Sequence, residues 1–173
     1  MRKILQKNSG FTLIELMIAI GIISILTAIA VPAVINWLPN YRLKAAARDL
    51  YSNMQKAKLE AVKRNSNATI TFNLPIGGTN YDCVNYIDSD NDLEYDAGEQ
   101  ILLRLNFADY KSVNLTGNTF ANNDNGRPSV AFNSRGLPIN NAGGFGAGTL
   151  TLTNTNGRIY TVTVSSAGSI KIN

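Results

Sequence analysis

The chain has 173 residues and only 16% are charged. The formal charge of +4 shrinks to +1 once Arg2, Lys3 and Lys7 at the extreme N-terminus are set aside, leaving 13 basic residues against 12 acidic ones. The high overall basicity is therefore a poor pointer to a nucleic-acid partner. There is no histidine, which excludes Ser-His-Asp and Cys-His nucleophilic sites and every His-bearing zinc site. A single cysteine, Cys83, excludes an intrachain disulfide. It reads as a small half-buried strand residue, or else as an intermolecular disulfide partner.

The N-terminal segment is the most informative. Lys7-Asn8-Ser9-Gly10 leads into Phe11-Thr12-Leu13-Ile14-Glu15-Leu16, and an apolar run then reaches Leu38. Leu16–Ile35 is twenty residues without a charge, enough to span a bilayer core. Phe11–Leu38 would be about 42 Å long as a helix. An ordinary single-pass anchor has this length, and Ala28-Ile29-Ala30 offers a signal-peptidase-like site. Neither reading accounts for Glu15. A charge in a membrane-length segment is costly unless it is paired, and by default it marks function. Cationic residues flank both ends of the run (Arg2, Lys3, Lys7; Arg42, Lys44, Arg48), so charge bias does not set the orientation. Pro32 should bend the helix or loosen a turn, and Pro39 could kink it where it leaves the membrane.

Leu43, Ala47, Leu50, Met54, Ala57 and Ala61 follow at spacings of four and three. This amphipathic stripe predicts helix to about Arg64, lying across a sheet and closed by Asn65-Ser66-Asn67. Arg42–Arg64 holds seven basic and two acidic residues. That face is either solvated or packs on acidic loops of neighbours or on lipid headgroups.

The remaining residues read as β-structure. Ala68–Leu74 alternates like a half-buried strand, and further strands are expected at Tyr81–Ile87, Gln100–Phe107, Ser129–Asn133, Thr149–Thr153, Arg158–Val164 and Ser169–Ile172. Asn156-Gly157 predicts a tight hairpin with positive φ at both positions, and Ala167-Gly168 another tight turn. Thr116–Pro128 and Leu137–Gly148 read as loops. A long helix followed by antiparallel sheet is α+β. The expected organisation is 1–10 leader, 11–38 transmembrane helix, 39–65 amphipathic helix and 66–173 β domain.

Asp88-Ser89-Asp90-Asn91-Asp92-Leu93-Glu94-Tyr95-Asp96-Ala97-Gly98-Glu99 places carboxylates at positions 1, 3, 5, 9 and 12 of a twelve-residue stretch. This is the spacing of an EF-hand calcium loop, with Asp88, Asp90, Asp92, Asp96 and Glu99 as ligands. Leu93 stands where such loops carry Gly, and no helices obviously flank the stretch. Asp82–Glu99 holds seven acidic residues and no basic one. A solvated acidic turn, or docking onto the basic helix face of another subunit, are the alternatives.

The junction KNSG-FTLIELMIAI closely resembles the cleavage and assembly segment of type IV pilins and pseudopilins. Ala45–Leu50, Ala57…Asn65, Asp88…Glu99 with Leu103-Arg104, Phe132–Pro138 and Gly157-Arg158…Gly168 resemble the GspH/FimT branch. The resemblance implies cleavage of Gly10-Phe11 by a prepilin peptidase, N-methylation of Phe11 and Glu15 as the filament-assembly carboxylate. It implies a structural subunit, not an enzyme: a minor pilin or type II secretion pseudopilin of the bacterial inner membrane, with its C-terminal domain periplasmic. Its partners would be other pilin subunits, the peptidase, the assembly platform and lipid; a major pilin is the other structural option. Some members of this branch resemble DNA-uptake receptors with a Gly-Arg-x-Arg hairpin. Here Gly157-Arg158-Ile159-Tyr160 lacks the second Arg, leaving Arg158 and Lys171 for phosphate contacts.

Overall fold

The structure is a computed structural model and describes residues 10–173. Helix α1, Leu13–Arg64, is followed by nine strands: β1 Asn67–Ile76, β2 Thr79–Asp88, β3 Ile101–Leu105, β4 Val113–Asn118, β5 Ser129–Phe132, β6 Pro138–Ile139, β7 Gly148–Asn154, β8 Ile159–Val164 and β9 Ile170–Ile172. The α+β expectation holds, but the strands form two antiparallel sheets, not one. Their orders are β3-β2-β1-β5-β6 and β4-β7-β8-β9. The chain divides into two compact units at Leu38/Pro39.

In the first unit the helix is apolar all round, and its large side chains from Leu13 to Trp37 are exposed. Its hydropathy is that of a membrane span. Ser24 and Thr27 donate their hydroxyls to the carbonyls of Ile20 and Ile23, at 2.8 and 2.6 Å. Both groups are thereby satisfied without water. The helix is assigned without a break through both Pro32 and Pro39, so neither proline ends it.

The second unit contains every buried core residue, from Leu43 to Ile170. Residues 39–173 therefore carry a complete core. The predicted helix stripe is fully buried there, joined by Ala46 and Asn53. Four alanines on this face let the helix lie close to the strands. Asn85 on β2 donates to the Asn53 carbonyl at 2.8 Å, fixing the helix against the sheet. The helix ends where expected: Asn65 takes φ +53 and Ser66 N–H returns to the Ala61 carbonyl at 3.2 Å. That is the Schellman closure, with Asn tolerating the left-handed position.

Five local expectations need correction. Strand β1 is not half-buried: Thr69 and Thr71 are as inaccessible as Ala68, Ile70 and Phe72, because the 89–99 loop covers the sheet's outer face. There Thr69 Oγ1 donates to Asp88, and Thr71 shares a hydrogen bond with the Tyr86 hydroxyl. Thr116–Asn118, expected in a loop, completes β4, and the 137–148 loop contains β6. The strand expected at Gln100–Phe107 stops at Leu105, and Phe107 opens a single 3-10 turn. Cys83 is wholly buried rather than half-buried, with Sγ 3.7 Å from Asn85 Oδ1, so it is inaccessible to a partner thiol in the folded unit.

The Asn156-Gly157 hairpin forms between β7 and β8, but only Gly157 has positive φ, at +74. Asn154 N–H reaches the Arg158 carbonyl and Gly157 N–H reaches the Asn154 carbonyl, which makes a three-residue loop with a glycine bulge. The same closure recurs at Asn123–Arg127, Asn133–Leu137, Asn140–Gly144 and Ser165–Ser169. In each, the first side chain accepts the N–H of the fifth residue, and a glycine with φ between +71 and +76 sits fourth.

Candidate functional site

Gly10 and Phe11 precede the helix, and both are exposed, Phe11 at 91%. A Cβ built on Gly10 would meet nothing within 4 Å, and its φ is not one that side chains avoid. The fold itself places no demand for glycine here. Residues 1–9, most of the expected leader, lie outside the described residues.

Thr12 and Glu15 form a reciprocal pair. Glu15 N–H approaches Thr12 Oγ1 at 3.3 Å, while Glu15 Oε2 accepts Thr12 N–H at 2.9 Å and its hydroxyl at 2.8 Å. Leu16 N–H to the Thr12 carbonyl, at 3.2 Å, is the first main-chain bond of the helix. Thr-x-x-Glu ahead of an apolar run is a capping box, and it was legible in Thr12-Leu13-Ile14-Glu15. A carboxylate in the first turn also faces the positive end of the helix dipole. Glu15 thus has a local partner, and only one of its two oxygens is used by it.

The acidic loop is more ordered than a solvated turn. Asp88 is buried at the end of β2. Its Oδ1 accepts Asn91 N–H at 2.7 Å; its Oδ2 accepts Thr69 Oγ1 at 2.8 Å and Leu93 N–H at 3.1 Å. Glu99 accepts the N–H groups of Ser89 and Asp96. Leu93, expected to disfavour a sharp turn, adopts it with φ +62 and is buried against the sheet. Its left-handed backbone costs about 1–2 kcal/mol, which burial of the side chain, worth about 1.5–3 kcal/mol, offsets. Ligand oxygens of Asp88, Asp90 and Glu99 lie within 4.8 Å of one another, as do those of Asp90, Asp92 and Asp96. Burial holds the carboxyls of Asp88 and Glu99 above the usual carboxylate range.

The basic helix face is partly spent within the chain. Lys58 Nζ donates to the Gly168 carbonyl at 2.7 Å, Lys56 to the Leu102 carbonyl at 3.3 Å, and Arg64 to Glu60 and Gln100, both at 2.6 Å. Lys63 is 3.7 Å from Glu60. Arg158 and Lys171 are both exposed, but the structure does not bring them together. Lys171 pairs with Thr163, five positions along β8 from Arg158, or about 16 Å. The Arg158 guanidinium instead lies over the Tyr160 ring, 5.7 Å from its centroid.

Comparison with known proteins gives consistent matches. Residues 46–168 match the family described as Type II transport protein GspH, and residues 5–31 match the prokaryotic N-terminal methylation motif. Prepilin peptidase-dependent protein D of Escherichia coli is 54% identical over 46 residues, 27% of this chain and 29% of that protein. Pilin-like protein PilA1 of Thermus thermophilus is 33% identical over 93 residues, 53% of this chain and 55% of that protein. The chain thus spans under a third of the length of the first relative and about half of the second. No solved structure matches. A methylation-type N-terminus, an apolar helix of membrane-spanning length and a GspH match over most of the chain agree: the chain belongs to the GspH family of pilin and pseudopilin subunits, which are structural proteins and not enzymes.

Proposed function

We propose that this chain is a minor pilin or pseudopilin that is cut between Gly10 and Phe11, methylated on Phe11 and assembled into a type IV pilus or type II secretion pseudopilus. Before assembly it is held in the inner membrane by the apolar half of α1, with the β domain periplasmic. The observation that carries this reading is the contrast at the junction: an unpacked glycine that the fold does not require, followed by a capped helix whose exposed apolar surface contains one carboxylate. A small residue with no structural duty fits the need of a peptidase cleft.

Gly10→Val should therefore leave folding unchanged and block processing. Intact-mass analysis of membrane-extracted protein should show the full-length, unmethylated chain. A normally cut and methylated product from this variant would reject Gly10 as the processing residue.

A calcium site in the acidic loop is the second reading. It is favoured by carboxylates at positions 1, 3 and 12 whose oxygens approach to 4.8 Å while, among the described residues, no Lys or Arg pairs with them. Asp88, Asp90 and Glu99 would hold the ion; three hydrogen bonds already fix the Asp88 carboxylate. Asp88 and Glu99 have raised folded-state pKa values, so the folded unit holds their protons more firmly than the unfolded chain. This loop's contribution to stability is present at low pH and lost as pH rises through the folded values. Calcium should recover it at neutral pH and recover little near the ordinary carboxylate value of about 4. Thermal melts of residues 39–173 with calcium or chelator test this. Equal calcium effects at both pH values, or no calorimetric heat with millimolar calcium, reject the site.

A further inference from the structure

Of the seven basic residues on the second half of α1, Arg42 is half-buried, and Lys56, Lys58, Lys63 and Arg64 are engaged within the chain. Lys44 and Arg48 are not: both are exposed, one helical turn apart, and among the described residues neither forms an ion pair. They border a shallow groove of about 180 Å³ with Tyr41, Ala45 and Asp49, and Asp49 is taken by the Tyr110 hydroxyl. The positive charge left for an outside partner is thus concentrated near the start of this unit's helix.

The opposite charge is held at the other end. Ser66 Oγ donates to the Asp88 carbonyl at 3.3 Å, and Arg64 reaches Gln100, so the acidic loop is tied to the helix C-terminus. Buried Leu93 and the Glu94–Asn125 hydrogen bonds hold the loop in shape. Asp90 and Asp96 remain exposed. Lys44 and Arg64 are twenty residues apart on one helix, about 30 Å along its axis.

We propose that the Lys44–Arg48 helix face docks the acidic loop, chiefly Asp90 and Asp96, of a second copy of this chain. This deepens the assembly reading and rests on it. The two patches lie about 30 Å apart along one helix, so a contact between copies joins the start of this unit's helix in one copy to the far end of it in the other. Each contact then leaves one patch free on each copy. Such a head-to-tail contact propagates as an open helical polymer rather than closing into a dimer. The complementary signs suppress the unshifted arrangement, in which like patches lie side by side.

Full-length protein in detergent, mixed from ¹⁴N and ¹⁵N batches in chelator, can be treated with a zero-length carbodiimide that joins lysine amines to carboxylates. We expect mixed-isotope peptides linking Lys44 to the Asp90 or Asp96 region. Reversal of either side, Lys44→Glu/Arg48→Glu or Asp90→Lys/Asp96→Lys, should cut intermolecular links and filament incorporation by about tenfold or more. Combining all four substitutions in one chain should restore both. Links confined to single copies, unchanged incorporation, or no restoration would overturn the proposal. So would loss of retention on phosphatidylglycerol vesicles, relative to phosphatidylcholine, with self-association intact, since the face would then serve lipid. Incorporation that persists in the reversed variants leaves the pilin assignment standing and removes only this contact.

Discussion

Replacing Glu15 by Ala or by Gln should remove the chain from sheared filaments while leaving its amount in the membrane unchanged. The two substitutions separate the helix cap seen at Glu15 from the assembly role proposed for it. Glu15 closes a capping box with Thr12, and that is worth on the order of 1 kcal/mol. Gln also closes such a box. Cleavage at Gly10-Phe11 would create a cationic amine about one turn away. In a bundle of apolar helices, a neighbour's amine left without its carboxylate would cost about 3–5 kcal/mol. A cost of that size is a hundredfold or more in the assembled fraction. If the cap were the whole function, Gln would assemble normally and only Ala would fail. If charge pairing sets the axial register, both fail alike. Immunoblots of sheared filaments against membrane fractions decide it, and wild-type incorporation of Glu15→Gln would end the pairing account.

What the sequence made legible was what local pattern controls. The spacing of Leu43, Ala47, Leu50, Met54, Ala57 and Ala61 identified the buried helix face because a 3.6-residue period leaves one direction apolar. Glu15 stood out because a membrane-length apolar run makes any charge visible, whereas Gly10-Phe11 was marked only by the resemblance of the junction to prepilin segments. Strand β4 was hidden: Asn114, Gly117 and Asn118 are poor strand formers, and its pairing with β7 supplies what propensity lacks. The double burial of β1 was hidden as well, since the polar covering loop is joined to the sheet by Asp88, nineteen positions from Thr69. The five Asn- or Ser-initiated turns carry a visible signature, a glycine three residues on, whose regularity shows only once the closing bonds are seen. The destinations of Lys56 and Lys58 depend on which strands pass under the helix, and no local pattern encodes that.

Gly168→Ala should be among the most damaging single-methyl changes in the β domain. Its φ of +76 is one that Ala adopts at a cost of about 1–2 kcal/mol. A Cβ there would also lie 2.6 Å from the Gly136 carbonyl oxygen, a backbone atom that cannot rotate away. Relief requires the β8–β9 turn to part from the β5–β6 turn, and Lys58 Nζ then loses the Gly168 carbonyl. That carbonyl is part-buried, and losing its partner adds about 1–3 kcal/mol. We expect a total loss of roughly 3 kcal/mol or more, or about 10 °C in the melting temperature for a unit of this size. Gly157→Ala is the internal control: same turn geometry, φ of +74, and nothing within 4 Å of the added methyl. It should cost only the conformational part. Lys58→Met removes the donor without the clash and should fall between the two. Urea titrations of residues 39–173 give the three values, and equal losses for the two glycine variants would show that the turn's backbone, not the junction of helix and two hairpins, sets the cost. A larger loss at Gly168 would show that this contact adds to the fastening of α1 beyond its buried stripe and the Asn85–Asn53 bond, because Lys58, Gly136 and Gly168 come from the helix, the first sheet and the second.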